Sequence, residues 1–346
     1  MERNIRDSEK ALGRGEFQIY AQPAPHKIDM KNINILITAA SRRVALVKNF
    51  VRAINNNGCR GRVIATDTDS LSPALYFTDS HHLVPLSSSP EYIPAIKEIC
   101  KKEDITLVIP TIDEELPTFG RYKDEFKKDG ILILISDERT CKICNDKYET
   151  FKFFKERGLP FPDTYLPDEI DYSLVKYPLF IKPRFGRGSI NAYPVRNERE
   201  LKFFIDYIKE PVVQRFLEGR EYTIDVLCNM KGKVLSVVPR ERMVIRSGVC
   251  DRGKTVKDDV LIDAGIRAAE ELNIIGPANL QCKVNGDITF FEVNPRFSGA
   301  IQLTINAGAD FPAMIIGMLN GNPPEPCIGD FKDGLIMTSF EESIYI

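Results

Sequence analysis

The sequence predicts an α/β unit built on a parallel sheet, followed by an α+β half, and three observations carry that prediction. From Ile33 onward, short apolar runs alternate with segments whose apolar residues have helical spacing. After Cys144 that alternation gives way to strand-rich segments. A hairpin with one apolar and one polar face occupies 279–294. Short apolar strands alternating with helices imply a parallel sheet covered on both faces.

The bulk properties narrow the class of protein. A chain of 346 residues is longer than one core usually spans, so two or three packed units are expected. Hydrophobic residues at 43% and charged residues at 28% are ordinary for a soluble enzyme. A formal net charge of -2 argues against a nucleic-acid partner, which calls for a basic excess. No apolar run approaches the roughly 20 residues that cross a bilayer, so no membrane partner is expected. The N-terminus lacks the apolar core of a secretory signal, which points to the cytoplasm. The 8 cysteines, with Cys228 and Cys282 inside apolar patterns, read as reduced, partly buried thiols. Cys141 and Cys144 form one CxxC without a second pair, and the histidines are His26, His81 and His82, so zinc or redox chemistry is the lesser reading.

Residues 1–31 are expected to form an N-terminal extension without fixed structure, with a linker-like Gln22-Pro23-Ala24-Pro25. The leading α/β unit is placed at 32–143. Strands are expected at 33–38, 62–66, 107–109 and 131–135, with helices at 43–55, 90–101 and 115–128. A dinucleotide site would need a glycine-rich turn after the first strand. The residues there are Thr38-Ala39-Ala40-Ser41-Arg42-Arg43, with no glycine. Thr38, Ser41 and Arg42 can hold an anion at the helix N-terminus, or Ser41 simply caps the helix. Asp113 and Glu114 end a strand, where α/β ligands commonly sit. They can hold an amine, or serve as ordinary helix N-terminal acids.

The second half is placed at 144–346. A helix is expected at 147–157, stopped by Gly158. Strands follow at 179–182, 212–215, 221–228 and 234–239, then a helix at 260–272 and the hairpin. In the hairpin, Asn285-Gly286 suits a tight two-residue turn. Pairing Val284 with Asp287 then sets Asn279 opposite Glu292, and Gln281 opposite Phe290 and diagonal to Glu292. Leu280, Cys282, Val284, Phe291 and Val293 share one face; Asn279, Gln281, Lys283, Glu292 and Asn294 share the other. Glu292 and Asn294 lie about 6.6 Å apart along that face. Oxygen donors at this spacing suit Mg2+, which takes few protein ligands and completes its shell with phosphate and water. Arg296, just beyond Pro295, is placed to stabilise charge on a transferring phosphoryl group. From the hairpin alone, a solvated polar face is the better explanation of the pattern.

Other stretches shift that balance. Phe180-Ile181-Lys182-Pro183 is a strand carrying a lysine, followed by Arg184-Phe185-Gly186-Arg187-Gly188-Ser189. Glycines there let backbone N–H groups approach phosphates while Lys182 supplies charge. Lys147 opens a helix in Asn145-Asp146-Lys147. Gln214, Arg215, Phe216 and Leu217 end a strand; backbone groups from Arg215 to Leu217 can hydrogen-bond an adenine edge, with Glu221 available to a ribose, but alone this is only a strand end. The basic stretch with Arg240, Arg242, Arg246 and Lys254 either binds an acceptor carboxylate or acyl phosphate, or is a solvated loop.

These stretches, in this order, resemble the ATP-grasp superfamily, and most resemble stand-alone proteins similar to the carbamoyl-phosphate synthase large chain. The likeness runs from about residue 32 onward. It implies a Rossmann-like pre-ATP-grasp domain followed by an ATP-grasp fold with a small lid subdomain at about 160–212. It implies that Lys147 and Lys182 contact ATP phosphates under a loop of Gly186, Arg187, Gly188 and Ser189. It further implies adenine contacts from Gln214 to Leu217, a ribose contact from Glu221, and Mg2+ (or Mn2+) on Gln281, Glu292 and Asn294. Arg296, with Lys182, would be catalytic. Many ATP-grasp ligases have a carboxylate where Gln281 stands; glutamine favours the carbamoyl-phosphate synthase branch. One set of motifs and no amidotransferase triad speak against full carbamoyl-phosphate synthesis. The implied activity is an ATP-dependent carboxylate–amine ligase working through an acyl phosphate, with small-molecule substrates and a homodimeric assembly. The alternatives are a carbamoyl-phosphate-synthase-like enzyme using bicarbonate or another small carboxylate, and a non-catalytic ATP-binding module.

Overall fold

A computed structural model describes residues 32–346. The extension expected at 1–31, with His26, lies outside the described residues. The leading unit is a parallel five-stranded sheet in the order β3-β2-β1-β4-β5. Its strands are β1 (Ile35–Ile37), β2 (Val63–Asp67), β3 (Ser80–Leu83), β4 (Leu107–Ile109) and β5 (Leu132–Ile133). Helices α1 (Val44–Asn56), α2 (Tyr92–Lys102) and α3 (Leu116–Lys128) connect them. Successive strand residues point to opposite faces. Ile35 and Ile37 therefore join Phe50 and Ile54 of α1 in one core. Leu36 and Ile64 join Ile96 of α2 and Phe119 of α3 in the other. This is the doubly covered sheet expected from the alternation. The strand β3 was not expected, because Ser80-His81-His82-Leu83 has no apolar run; it pairs with β2 at the sheet edge.

Two helices lead out of this unit, α4 (Glu138–Asn145) and α5 (Lys147–Glu156). The short polar helix α4 also lacked a clear apolar period; Asp137 caps it by accepting from Thr140 N–H. A small antiparallel sheet follows, in the order β6-β9-β7-β8. It comprises β6 (Thr164–Tyr165), β7 (Leu179–Pro183), β8 (Tyr193–Val195) and β9 (Pro211–Arg215). Leu201 of α6 (Glu198–Tyr207) packs with Leu179, Ile181 and Val213 in a core of its own.

The largest sheet has six strands in the order β14-β13-β10-β11-β12-β15. They are β10 (Arg220–Cys228), β11 (Val234–Arg246), β12 (Val249–Thr255), β13 (Gly276–Asn285), β14 (Asp287–Asn294) and β15 (Ile336–Thr338). Helix α7 (Asp259–Glu271) lies close on this sheet at Gly265, where a Cβ would come 2.7 Å from Ile224 Cγ2. Helices α8 (Ile301–Asn306) and α9 (Phe311–Leu319) pack into the same core as α1. Among the described residues, no helix is long and apolar enough to cross a membrane.

The hairpin register differs from the expected one. Asn285 pairs with Asp287 around Gly286, and a bulge between Gln281 and Cys282 shifts the pairing again. Gln281 therefore faces Glu292 directly, Asn279 faces Asn294, and Cys282 faces Phe290. The bulge accommodates the Phe290-Phe291 pair: Phe290 is fully buried in the core, while Phe291 lines the opposite cavity. An alternating pattern with one aromatic too many is what a bulge resolves. The correction strengthens the polar cluster, because it brings Gln281 into direct register with Glu292.

Candidate nucleotide and metal site

Lysine 147 sits where a helix start and the small sheet meet. Asp146 caps α5 by accepting from the N–H groups of Tyr148 and Glu149. The same carboxylate takes Arg184 Nε at 2.8 Å and Arg184 Nη2 at 2.6 Å. This pair fixes the α5 start against the end of β7. Lys147 is then the first helical residue, at the positive end of the helix dipole, which disfavours a cation. Its Nζ donates to the Gly186 carbonyl at 2.7 Å.

Lysine 182 projects from β7, only 5% exposed. Its Nζ donates to the Phe291 carbonyl at 3.3 Å and lies 5.6 Å above the Phe291 ring. Burial pushes its ammonium down to about 7; Lys147 pushes the same way, and Glu292 opposes both. At Glu292, burial alone would raise the carboxyl. Lys147 and Lys182, with a hydrogen bond from Asn294, outweigh it and hold Glu292 below the usual range. Lys147 and Lys182 thus meet Glu292 in one buried cluster, where a bound polyanion would favour the charged form of both lysines.

The loop after β7 closes one side. Gly186 and Gly188 have φ of 106° and 70°, left-handed conformations that favour glycine. A Cβ on Gly248 would come 2.7 Å from Gly188 Cα, so the turn between β11 and β12 backs directly onto this loop. Arg187 Nε lies 3.3 Å from Glu114 Oε1 of the leading unit.

Together these residues enclose a cavity of about 430 Å³, within the range of small-molecule sites. Lys147, Lys182, Gly186, Arg187, Ser189, Gln281 and Glu292 line it, as do Gln214, Arg215, Phe216, Leu217 and Glu221. Phe180, Phe216 and Phe291 give it an apolar wall for a base, and Lys283 donates to the Leu217 carbonyl at 3.0 Å. Gln214 Nε2 donates to Thr164 Oγ1 at 2.9 Å, which anchors its side chain to β6. Glu221 lies 3.0 Å from Arg242 Nε. A larger groove of about 830 Å³ runs beside α4 and α5 and carries neither Lys147 nor Lys182 nor the strand acids. Its lysines Lys142 and Lys152 are paired with Glu138 and Glu149.

The donor set at Glu292 fits a hard cation that arrives with phosphate. One carboxylate and the cross-strand Gln281 offer oxygens, and Asn294 lies beside them. Asn294 Nδ2 donates to Glu292 Oε1 at 3.0 Å and to Asn279 Oδ1 at 3.3 Å, which fixes the amide beside the carboxylate. Few protein ligands is the Mg2+ pattern.

The remaining expected residues are distributed unevenly. Arg242 and Glu114 line the cavity. Asp113 holds Arg296 Nη2 at 2.7 Å. Arg240 is not brought to the cavity: it is 1% exposed, and its Nε donates to Asp225 at 2.7 Å. Arg246 is solvent-exposed beside Glu341 and Asp251. Thr38 Oγ1 donates to buried Glu115, and Ser41 does not cap α1, whose N-cap residue is Arg43. The sequence reading missed Arg43. Its Nη1 donates to the Phe297 and Ser298 carbonyls and its Nη2 to the Thr111 carbonyl. Burial lowers this guanidinium to about 9, and Arg296 adds to the effect. The adjacent arginines Arg42 and Arg43 gave no signal to tell one from the other. The CxxC cysteines are buried, and burial raises Cys141 to about 12.

Comparison with known proteins matches two family models to the chain. Residues 208–342 match a family model described as ATP-grasp in the biosynthetic pathway with Ter operon. This stretch is an ATP-grasp domain. Residues 35–134 match the PylC-like N-terminal domain, so the leading sheet has a family of its own. Over 272 residues the chain is 24% identical to the carbamoyl phosphate synthase large chain of Methanobrevibacter smithii, covering 68% of this chain and 25% of that one. It is 29% identical over 130 residues to a D-alanine--D-alanine ligase of Petrotoga mobilis, covering 35% of this chain and 43% of the ligase. The matches thus span less than half of either relative's length. Among solved structures, N5-carboxyaminoimidazole synthetase from Staphylococcus aureus, complexed with ADP, superposes with a TM-score of 0.70 at 15% identity. That match covers 86% of this chain and 80% of the synthetase.

Proposed function

We propose that this protein is an ATP-dependent carboxylate–amine ligase that works through an acyl phosphate and releases ADP and phosphate. The observation that carries this reading is the meeting of Lys147, Lys182 and Glu292 in one cavity under the glycine loop. Lys147 and Lys182 bind the ATP phosphates, and Gly186 to Ser189 cover them. Gln214 to Leu217 line the adenine, and Glu221 holds the ribose after exchanging its contact with Arg242. Mg2+ on Glu292, Gln281 and Asn294 supplies charge neutralisation for the phosphates.

In the first step, a carboxylate oxygen attacks the γ-phosphorus and the bond to the β-phosphate oxygen breaks, giving ADP and an acyl phosphate. Arg296 and Lys182 stabilise the charge on the transferring group. In the second, an amine attacks the acyl carbon, phosphate leaves with the bonding pair, and the amine gives up a proton. No protein nucleophile is needed; positioning and cationic clamps carry the chemistry. Asp113 Oδ1 is buried with no hydrogen-bond partner among the described residues, and Glu114 lines the cavity. Glu114 is the acceptor for the amine, and Asp113 is committed through Oδ2 to Arg296. Arg242 is the candidate for the acceptor carboxylate. We propose division at 32–143 and 144–346, with a lid at about 160–212, and a cytoplasmic homodimer.

A second reading has support of its own. Gln281 faces Glu292 directly, and glutamine there favours the carbamoyl-phosphate-synthase-like branch, which uses bicarbonate or another small carboxylate. ADP release with Mg-ATP against a matrix of carboxylates, bicarbonate, amino acids and ammonia separates the two. Release that requires one carboxylate plus one amine establishes the ligase. Release with a carboxylate alone establishes the second reading. ATP binding without release anywhere in the matrix leaves a binding module and counts against both.

A further inference from the structure

The Arg296 guanidinium is held from the leading unit as well as by its own loop. Its Nη2 and Nε donate to Asp113 Oδ2 at 2.7 and 3.3 Å, and its Nη1 donates to the Phe297 carbonyl at 3.1 Å. All three guanidinium nitrogens are therefore committed. Both side chains are about nine-tenths buried, at 11% and 9% exposure. Such a pair is geometrically specific in a way that an exposed ion pair is not.

The loop behind Arg296 is fixed from the same side. Arg43 bridges the Phe297 and Ser298 carbonyls to the Thr111 carbonyl. Thr111 is itself set by Glu115, whose Oε1 accepts from Thr111 N–H and from Thr38 Oγ1. Tyr92 donates to the other oxygen of Glu115. A hydrogen-bonded path thus runs from the buried Tyr92–Glu115 pair through Thr111 and Arg43 to the Phe297 carbonyl, which also accepts from Arg296.

We infer that Asp113 is a positioning residue for Arg296, and that with Arg43 it makes the direction of the Arg296 guanidinium a property of the leading unit. The role of Arg296 in this inference rests on the proposed reaction; the coupling of the two residues does not. A guanidinium freed from Asp113 samples other rotamers and spends less time where phosphoryl charge develops.

The test is a double-mutant cycle of Asp113→Ala and Arg296→Ala. Mg-ATP and Mg-ADP affinities are measured by calorimetry, and kcat and KM are measured on the substrates found by ADP release. Each single variant is expected to lose on the order of 100-fold in kcat. Mg-ADP affinity should stay within about two-fold of wild type, and the double variant should lose no more than Arg296→Ala. Asp113→Glu should recover part of the loss, and Arg43→Lys should show the same signature at about ten-fold. Multiplying losses, a change confined to the amine KM, or a joint fall of Mg-ADP affinity, Tm and kcat would each overturn the inference. If the wild-type protein binds Mg-ATP but turns over nothing, the reaction reading has failed. The cycle is then read on the ratio of Mg-ATP to Mg-ADP affinity, where non-additivity supports the coupling and additivity or no change refutes it.

Discussion

On the proposed reading, the nucleotide and acceptor ends of the site are assembled on different principles. At the nucleotide end, each component is a short string on one element: Lys182 with its glycine loop on β7, Gln214 and Arg215 on β9, Gln281 and Glu292 on neighbouring strands. At the acceptor end, the contacts join distant parts of the chain. Asp113 and Arg296 are separated by 183 positions, and Arg43 and Ser298 by 255. A phosphate chain can be held by local backbone and lysines. Aligning a second substrate with it takes groups from both halves. On this view, changes at the nucleotide end abolish binding and turnover together, while changes at the acceptor end spare the nucleotide.

The largest effect is expected at Lys182 and Glu292. Lys182→Ala and Glu292→Ala should each lower ADP release by about 10²- to 10³-fold. Lys182→Ala should also weaken Mg-ATP binding without lowering Tm. A buried ammonium that burial has pushed down to about 7 is a liability to the fold, not a support. Steady-state ADP release, calorimetry and thermal unfolding test this. Wild-type turnover in Lys182→Ala would break the contrast between the ends.

That contrast also explains what was legible in the sequence. The β1 and β4 strands, helices α1, α3, α5 and α7, and most cavity residues followed from local pattern, because apolar period and loop chemistry are local properties. The strand β3 escaped because it is an edge strand without an apolar run. The hairpin register escaped because a bulge, which depends on where Phe290 packs, is settled by the core and not by the turn. Arg43 and the Asp113–Arg296 pair escaped because nothing local distinguishes an arginine that will cross to another unit. The basic stretch shows the same limit. Arg240, Arg242 and Arg246 are two or four positions apart on β11, yet one is buried on Asp225, one faces the cavity and one faces solvent.

A smaller effect is expected at the turn behind the glycine loop. Gly248 has φ of 74°, and a Cβ there would come 2.6 Å from the Gly188 carbonyl carbon. Gly248→Ala should push the two turns apart and weaken Mg-ATP binding about ten-fold, since the loop can no longer close fully. In the wild-type protein, Mg-ATP should protect residues 186–189 from hydrogen exchange, and the variant should lose that protection. Equal protection in both would separate the turn from loop closure.

A further measurement probes the charge at the nucleotide end. The Lys182 ammonium titrates at about 7 here, below its ordinary value, chiefly because of burial. A bound phosphate favours the charged form and raises that value again. The sign follows: binding takes up almost no proton well below pH 7 and approaches one proton above it, so Mg-ATP affinity falls as pH rises through 7 to 9. Calorimetry in buffers of different ionisation enthalpy reads the uptake. Lys182→Met should remove the excess uptake at pH 8, leaving only what the nucleotide itself contributes. Identical uptake in variant and wild type would mean Lys182 is already charged before the phosphate arrives.

The smallest effect is expected at Arg246. Its partners are Asp251 at 3.6 Å and the largely exposed Glu341 at 3.3 Å, and its own side chain is 63% exposed. Water and salt screen such pairs, and they contribute little to stability. Arg246→Ala should leave Tm almost unchanged and keep KM for both substrates within about two-fold. Arg242→Ala, two strand turns closer to the cavity, should raise KM for the acceptor carboxylate and also alter Mg-ATP binding, because Arg242 touches Glu221 and the Gly248 carbonyl. If Arg246→Ala instead raised the acceptor KM as much as Arg242→Ala, the acceptor would reach to the rim of the β11–β12 hairpin. The acceptor end would then be an open surface along that hairpin, not a pocket shared with the leading unit.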